Sequence, residues 1–254
     1  MSPTALQISG LDKNFGALQV ARHIDFELQR GARHALIGPN GAGKTTFLNL
    51  ITGVLRPSAG RIQLLGSDIT DMGQSKRSRL GLARTFQINQ LFKGLSVLDN
   101  VCLAIAERTG VARSLLAPFG RHQRVIDEAM HLLQMLRLDG DAMQLVNQLP
   151  YGQQRLVEIV IALGQNPQVL LLDEPAAGVP SAESQLILEV MDSLSDDIAI
   201  LIIEHDMEIV FRFAKRITVM LAGAILTEGT PDEIAADDRV RAIYLGDFQR
   251  GHLA

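Results

Sequence analysis

Apolar and polar residues alternate over 5–9 (Ala5-Leu6-Gln7-Ile8-Ser9) and over 23–29, the period of strands with one buried face. Residues 33–37 form the strand leading into a glycine-rich loop, and 60–66 reads as another strand, bounded by glycines. Residues 73–81, with Lys76, Arg77 and Arg79, read as a short solvated helix, and 82–87 as a strand ending at Gln87. From about 88 to 150 strand signals vanish and helical spacing takes over. Leu98, Val101, Cys102 and Ile105 make one helical stripe, and 110–120 reads as a loop. Val125, Ile126, Ala129, Leu132, Leu133 and Leu136 mark an amphipathic helix over 122–138, which Gly140 is expected to cap. A further helix opens at 149–154 and buries Leu156, Ile159, Val160 and Leu163, with Gln153, Gln154, Arg155 and Glu158 elsewhere on it. Two uninterrupted apolar runs, 169–172 and 198–203, read as strands buried on both faces, as in a parallel sheet. A helix with Ile187, Val190, Met191 and Leu194 lies between them. Two strands around Ala222-Gly223 follow, then short helices over 231–246.

Chemistry gathers where these elements meet. The stretch Gly38-Pro39-Asn40-Gly41-Ala42-Gly43-Lys44-Thr45-Thr46 joins the strand at 33–37 to a helix-like run. Glycine, four residues, then Gly-Lys-Thr in a strand–loop–helix setting is the pattern of a phosphate-binding loop. Its glycines let main-chain N–H groups approach an anion, and the helix directs its positive end there. Lys44 would reach the β- and γ-phosphates, and the Thr45 hydroxyl would ligate Mg²⁺. The strand at 169–172 ends in Asp173 and Glu174. Ligands of open α/β sheets sit at the carboxyl ends of strands, so Asp173 is placed to hold Mg²⁺ and Glu174 to orient or deprotonate a water. His205 holds the equivalent place after 198–203 and is assigned a γ-phosphate contact. Gln87 is either a surface glutamine or a Mg²⁺ or water contact. Phe15 is either a core aromatic or a stacking platform for a nucleobase.

Composition narrows the field. The 254 residues are 47% hydrophobic and carry a net charge of −4, so no basic excess points to nucleic acid. One cysteine, Cys102, excludes an internal disulfide and reads as a buried thiol. No signal pattern and no apolar run of bilayer length is present, so a cytoplasmic protein is expected, with any membrane role exerted through partners.

The phosphate loop at 38–45, Gln87, the stretch 149–153, the acidic strand at 169–174 and His205 together resemble the ATP-binding subunits of ABC transporters, over nearly the whole chain. The resemblance implies an α/β fold: a P-loop NTPase (RecA-like) core with an ABC-type antiparallel β subdomain and an inserted α-helical subdomain. It implies one ABC ATPase domain over 1–254, with core 1–87 and 160–230, helical subdomain about 88–159 and tail 231–254. Phe15 falls at the family's adenine-stacking position. Two such subunits, identical or not, would clamp two ATPs, with Gly152 and Gln153 contacting the nucleotide on the partner's loop. Glu174, His205 and Gln87 would be catalytic; Thr45, Gln87 and Asp173 would serve the metal. Implied partners are transmembrane permease subunits at the inner face of the cell membrane and a periplasmic or extracellular solute-binding protein.

Residues 83–87, 151–159, 173–178 and 203–207 are similar to the subfamily importing branched-chain or related hydrophobic amino acids. The tail at 240–246 is shared with the subunit powering lipopolysaccharide export, which leaves an exporter as an alternative. A P-loop small-molecule kinase is a second alternative, though no basic lid is evident. Pro150, Ile161 and Pro180 depart from the residues usual at their family positions.

Overall fold

A computed structural model describes residues 3–85, 91–111 and 123–250. The chain opens with β1 (Thr4–Phe15), β2 (Leu18–Gln29), β3 (Arg33–Ile37), α1 (Lys44–Thr52), β4 (Ala59–Leu64), β5 (Ser67–Asp68) and α2 (Gln74–Arg79). It continues through β6 (Leu82–Arg84), α3 (Val97–Thr109), α4 (Gln123–Met135), α5 (Tyr151–Gly164), β7 (Val169–Asp173) and α6 (Ser181–Ser193). Last come β8 (Ala199–Ile203), α7 (Met207–Phe213), β9 (Arg216–Leu221), β10 (Ala224–Gly229), α8 (Pro231–Ala236) and α9 (Asp238–Arg250). Two compact units result, one from Met1–Arg77 with Asp196–Ala254, the other from Ser78–Ser195.

The first unit contains an antiparallel sheet in the order β2-β1-β4-β5. It also contains β10-β9-β3-β8, in which β3 runs parallel to both β8 and β9. Every residue of β3 and β8 is buried, as the unbroken apolar run of β8 requires, and in β3 this includes Arg33 and His34. Phe26 of β2 packs edge-on against Phe47 of α1, with ring centroids 5.5 Å apart, and against His34 of β3 at 5.1 Å. This contact fastens the antiparallel sheet over α1.

β1 and β2 are longer than the alternation at 5–9 and 23–29 suggests. Register shifts interrupt the pairing between Ile8 and Lys13, and Gly10 and His23 both take positive φ. A bulge reverses which parity faces the core, so the period-two signal stops while the strand continues. The Asp12 carboxylate accepts from the His23 N–H and the Gln19 amide, filling gaps the bulge leaves.

The basic segment at 74–79 is a helix, but Arg77 is not solvated. It is 1% exposed and donates to the carbonyls of Leu50, Ile51, Thr70 and Met72. The last carbonyls of α1 lack the full set of helix bonds, and a cation there also meets the negative end of the helix dipole. Burial pushes the Arg77 pKa down to about 10.

In the second unit, β6 and β7 pair in parallel, and α3 packs on α4 and α5. Ser96 and Asp99 form a reciprocal cap on α3. Burial raises the Cys102 thiol to about 11, in keeping with an inert structural side chain. Gly140 does not cap α4. Arg137 takes φ 57° while the Leu138 N–H bonds back to the Leu133 carbonyl at 2.8 Å, so the reversal comes three residues earlier. Arg155 and Glu158 of α5, which lie off its apolar stripe, are buried as well and paired at 2.8 Å. The loop expected over 110–120 falls mostly outside the described residues.

Candidate active site

In the first unit β3 delivers the chain into the glycine loop at its carboxyl end. Gly38 sits at φ 156°, and a Cβ there would lie 2.3 Å from the Met220 carbonyl oxygen of β9. Gly41 has open space around it, but its φ of 79° demands glycine on conformational grounds. The loop is braced from one side: the Gly223 N–H donates to the Ala42 carbonyl at 2.9 Å, and the Arg22 N–H to the Gly223 carbonyl at 2.8 Å. The β9–β10 turn thus ties the loop to β2.

Ala42 is buried, whereas Asn40, Gly41 and Thr45 are exposed, and Pro39, Gly43, Lys44 and Thr46 are partly so. The α1 N-cap is Gly43, with no side-chain cap bond. The N-terminus and dipole of α1 favour an anion there. The Lys44 ammonium donates to the Gly38 carbonyl at 2.6 Å and the Pro39 carbonyl at 3.2 Å.

β8 lies beside β3, with Ile203 opposite Leu36. Gly38 and His205 follow two residues after these paired positions on the two strands. The His205 side chain is 67% exposed, with Nδ1 3.9 Å from Oε2 of the buried Glu204. The Asp206 carboxylate caps α7 by accepting from the Glu208 and Ile209 N–H groups, which fixes the turn that carries His205. The first unit thus carries the loop with Lys44 and Thr45, and His205, on the carboxyl sides of neighbouring parallel strands. Phe15 ends β1, is 49% exposed, and has the Lys13 ammonium 4.9 Å from its ring centroid. It is not a core aromatic.

In the second unit β7 ends at Asp173, whose carboxylate accepts from Arg84 of β6 at 2.7 Å. Glu174 follows at φ 48°, a left-handed turn that takes the chain off the strand. Gly152 is buried and Gln153 partly so at the start of α5. Gln153 Nε2 donates to Asp141 at 3.2 Å. Pro150 occupies the N-cap and, lacking a hydroxyl, provides no cap bond. Tyr151 lies near the loop after Glu174, 3.6 Å from where a Cβ on Gly178 would sit. Gln87 lies outside the described residues.

Two features went unassigned from sequence: the Arg84 partner of Asp173 and the bracing turn at Ala222-Gly223. A cation ending the strand beside an acid-ended strand was the available signal for the first. The second needed the topology.

Comparison with known proteins places this geometry. The ABC transporter family matches residues 21–177, and the branched-chain amino acid ATP-binding cassette transporter family matches residues 224–248. The high-affinity branched-chain amino acid transport ATP-binding protein BraF of Pseudomonas aeruginosa is 35% identical, over 97% of this chain and 100% of that one. LivG of Escherichia coli K12, of the same description, is 36% identical over 97% and 100%. Among solved structures, a nucleotide-free ATP-binding cassette from an ABC transporter superposes with a TM-score of 0.83 at 30% identity, covering 95% of this chain and 98% of that one. A cassette in its ADP conformation gives 0.84 at 30%, covering 96% and 99%.

Proposed function

The chain belongs to the ATP-binding subunits of ABC transporters, and on that premise we propose that it hydrolyses ATP to energise import of branched-chain or related hydrophobic amino acids through partner permease subunits. The observation that carries this reading is the glycine loop that opens an uncapped α1 at the end of β3, with His205 leaving the adjacent strand beside it. Main-chain N–H groups and Lys44 grip the triphosphate, and Phe15 offers its exposed face to adenine. His205 contacts the γ-phosphate. Glu174 orients or deprotonates the attacking water, and Gln87 assists it. Gly152 and Gln153 meet the nucleotide held by a second ATP-binding subunit.

Thr45 and Asp173 are hard oxygen donors, and among the described residues no group of three or more His, Cys, Asp or Glu could hold a metal. That donor set suits Mg²⁺, which keeps waters and phosphate oxygens and needs only one or two protein ligands. When bound, Mg²⁺ would neutralise charge on the β- and γ-phosphates.

No helix among the described residues is long and apolar enough to cross a membrane. Docking to permeases at the inner face of the cell membrane, with a solute-binding protein outside, completes the proposed assembly. The test is reconstitution. With its permeases, the chain should support ATP-dependent uptake of leucine, isoleucine or valine. ATP-dependent export, or phosphate transferred to a metabolite rather than to water, would refute the reading.

A further inference from the structure

Arg84 is the last residue of β6 and pairs in parallel register with Leu171, two residues short of the end of β7. From there its guanidinium reaches forward along the neighbouring strand, and Nη2 donates to Asp173 Oδ2 at 2.7 Å. The strands stay bonded up to this point, since the Thr85 N–H donates to the Leu171 carbonyl at 3.0 Å. Both side chains are withdrawn from water, at 7% and 4% exposure.

This is unlike the surface ion pairs of the chain, such as Arg56–Asp71, where both partners are about three-quarters exposed. A surface pair contributes little. A buried carboxylate, by contrast, stays ionised only beside a fixed counter-charge or donors, and removing one partner of such a pair leaves a costly lone charge. The hydrogen bond engages one carboxylate oxygen and so fixes the direction of the other.

We propose that Arg84 is the positioning residue of the metal site: its bond to Oδ2 holds the Asp173 carboxylate in one orientation, so that the other oxygen is ready when a nucleotide brings its divalent cation. This rests on the reading of Asp173 as a Mg²⁺ carboxylate. Groups that orient a metal ligand typically change metal affinity by about 10–100-fold when removed. Arginine is suited to the role because its charge is permanent and its fork is rigid. Lysine keeps the charge and loses the fork.

The test uses the full chain and ADP as the probe, titrated with and without Mg²⁺, for wild type, Arg84→Gln, Arg84→Lys and Asp173→Asn. In Arg84→Gln the Mg²⁺ concentration giving half of the metal-dependent gain in ADP affinity should rise about 10–100-fold. ADP affinity in EDTA should stay within about twofold, because the phosphate loop is untouched. Arg84→Lys should fall between, with a rise of roughly three- to tenfold. A purely structural role would instead weaken ADP binding in EDTA along with it, and that result overturns the proposal. So does a wild-type Mg²⁺ requirement in Arg84→Gln while Asp173→Asn raises it. If Asp173→Asn itself leaves the requirement unchanged, the metal role of Asp173 fails, and the role of Arg84 fails with it. Should Arg84→Gln not fold, Arg84→Lys decides alone, and a wild-type requirement in it counts against Arg84.

Discussion

The Lys44 ammonium sits 2.6 Å from the Gly38 carbonyl oxygen, so the first turn of α1 closes back on the residue that opens the loop. A phosphate offers this ammonium a charged acceptor in place of a neutral one. Bonds to charged groups contribute about 1.5–3 kcal/mol. Lys44→Ala should therefore lose ATP affinity by roughly 10–100-fold. Equilibrium binding of a fluorescent ATP analogue measures it, and normal affinity would count against the loop assignment.

Phe15 should act on the base alone. Phe15→Ala is expected to cost about 1–3 kcal/mol of ATP affinity, with Phe15→Tyr near wild type. Inorganic tripolyphosphate, which has no base, should bind both variants as it binds wild type. An equal loss for tripolyphosphate would mean that the substitution disturbs the loop.

Glu174 turns the chain at φ 48° directly after the buried Asp173. Glutamine preserves shape and backbone preference but cannot take a proton. Glu174→Gln should bind ATP normally and turn over at least about 100-fold more slowly. Unchanged phosphate release would remove Glu174 from the chemistry.

Arg77 should matter for stability and not for nucleotide. Arg77→Met removes the donor that serves the Leu50, Ile51, Thr70 and Met72 carbonyls, at a cost of at least about 2 kcal/mol. Gly53→Ala should harm the same joint, since its Cβ would lie 2.8 Å from both Arg77 Nε and the Met72 carbonyl oxygen. Urea denaturation decides this, and wild-type midpoints for both variants would contradict the capping role.

His34 gives a pH signature. Its Nε2 lies 2.8 Å from the Thr218 hydroxyl, which donates to Glu228. Burial pushes its pKa down from 6.5 to about 4, with Glu228 pulling the other way and Arg216 adding to the lowering. Between these values the unfolded chain takes up a proton that the folded chain refuses. The contribution is therefore complete above pH 6.5 and is lost as pH falls towards 4, by roughly 3 kcal/mol in total. In urea melts at pH 7.5 and 4.5, His34→Gln should lose less stability between the two than wild type does. Parallel losses would rule the histidine out.

The elements that bear the proposed chemistry were legible because each announces itself locally. The runs at 169–172 and 198–203 that become β7 and β8 are uninterrupted and apolar, the pattern of a strand buried on both faces, and β3 is marked by the glycine loop it leads into. Where a feature depended on a long side chain's choice of partner, local reading failed. Arg77 reads as part of a solvated basic helix, yet it is buried and bonded to carbonyls up to 27 positions away. The α4 stop failed for a related reason: Gly140 had the composition of a cap, but the tertiary path turned the chain at Arg137.

By itself the amino-acid order determined the phosphate loop, the buried strands that lead to it and to the acids, and the family. These follow from spacing and backbone freedom, which are properties of neighbouring residues. Folding in three dimensions decided which cations are spent inside the protein: Arg77 on the end of α1 and Arg84 on Asp173. A buried charge must find its counterpart wherever the fold brings one, and no periodicity along the chain records that meeting.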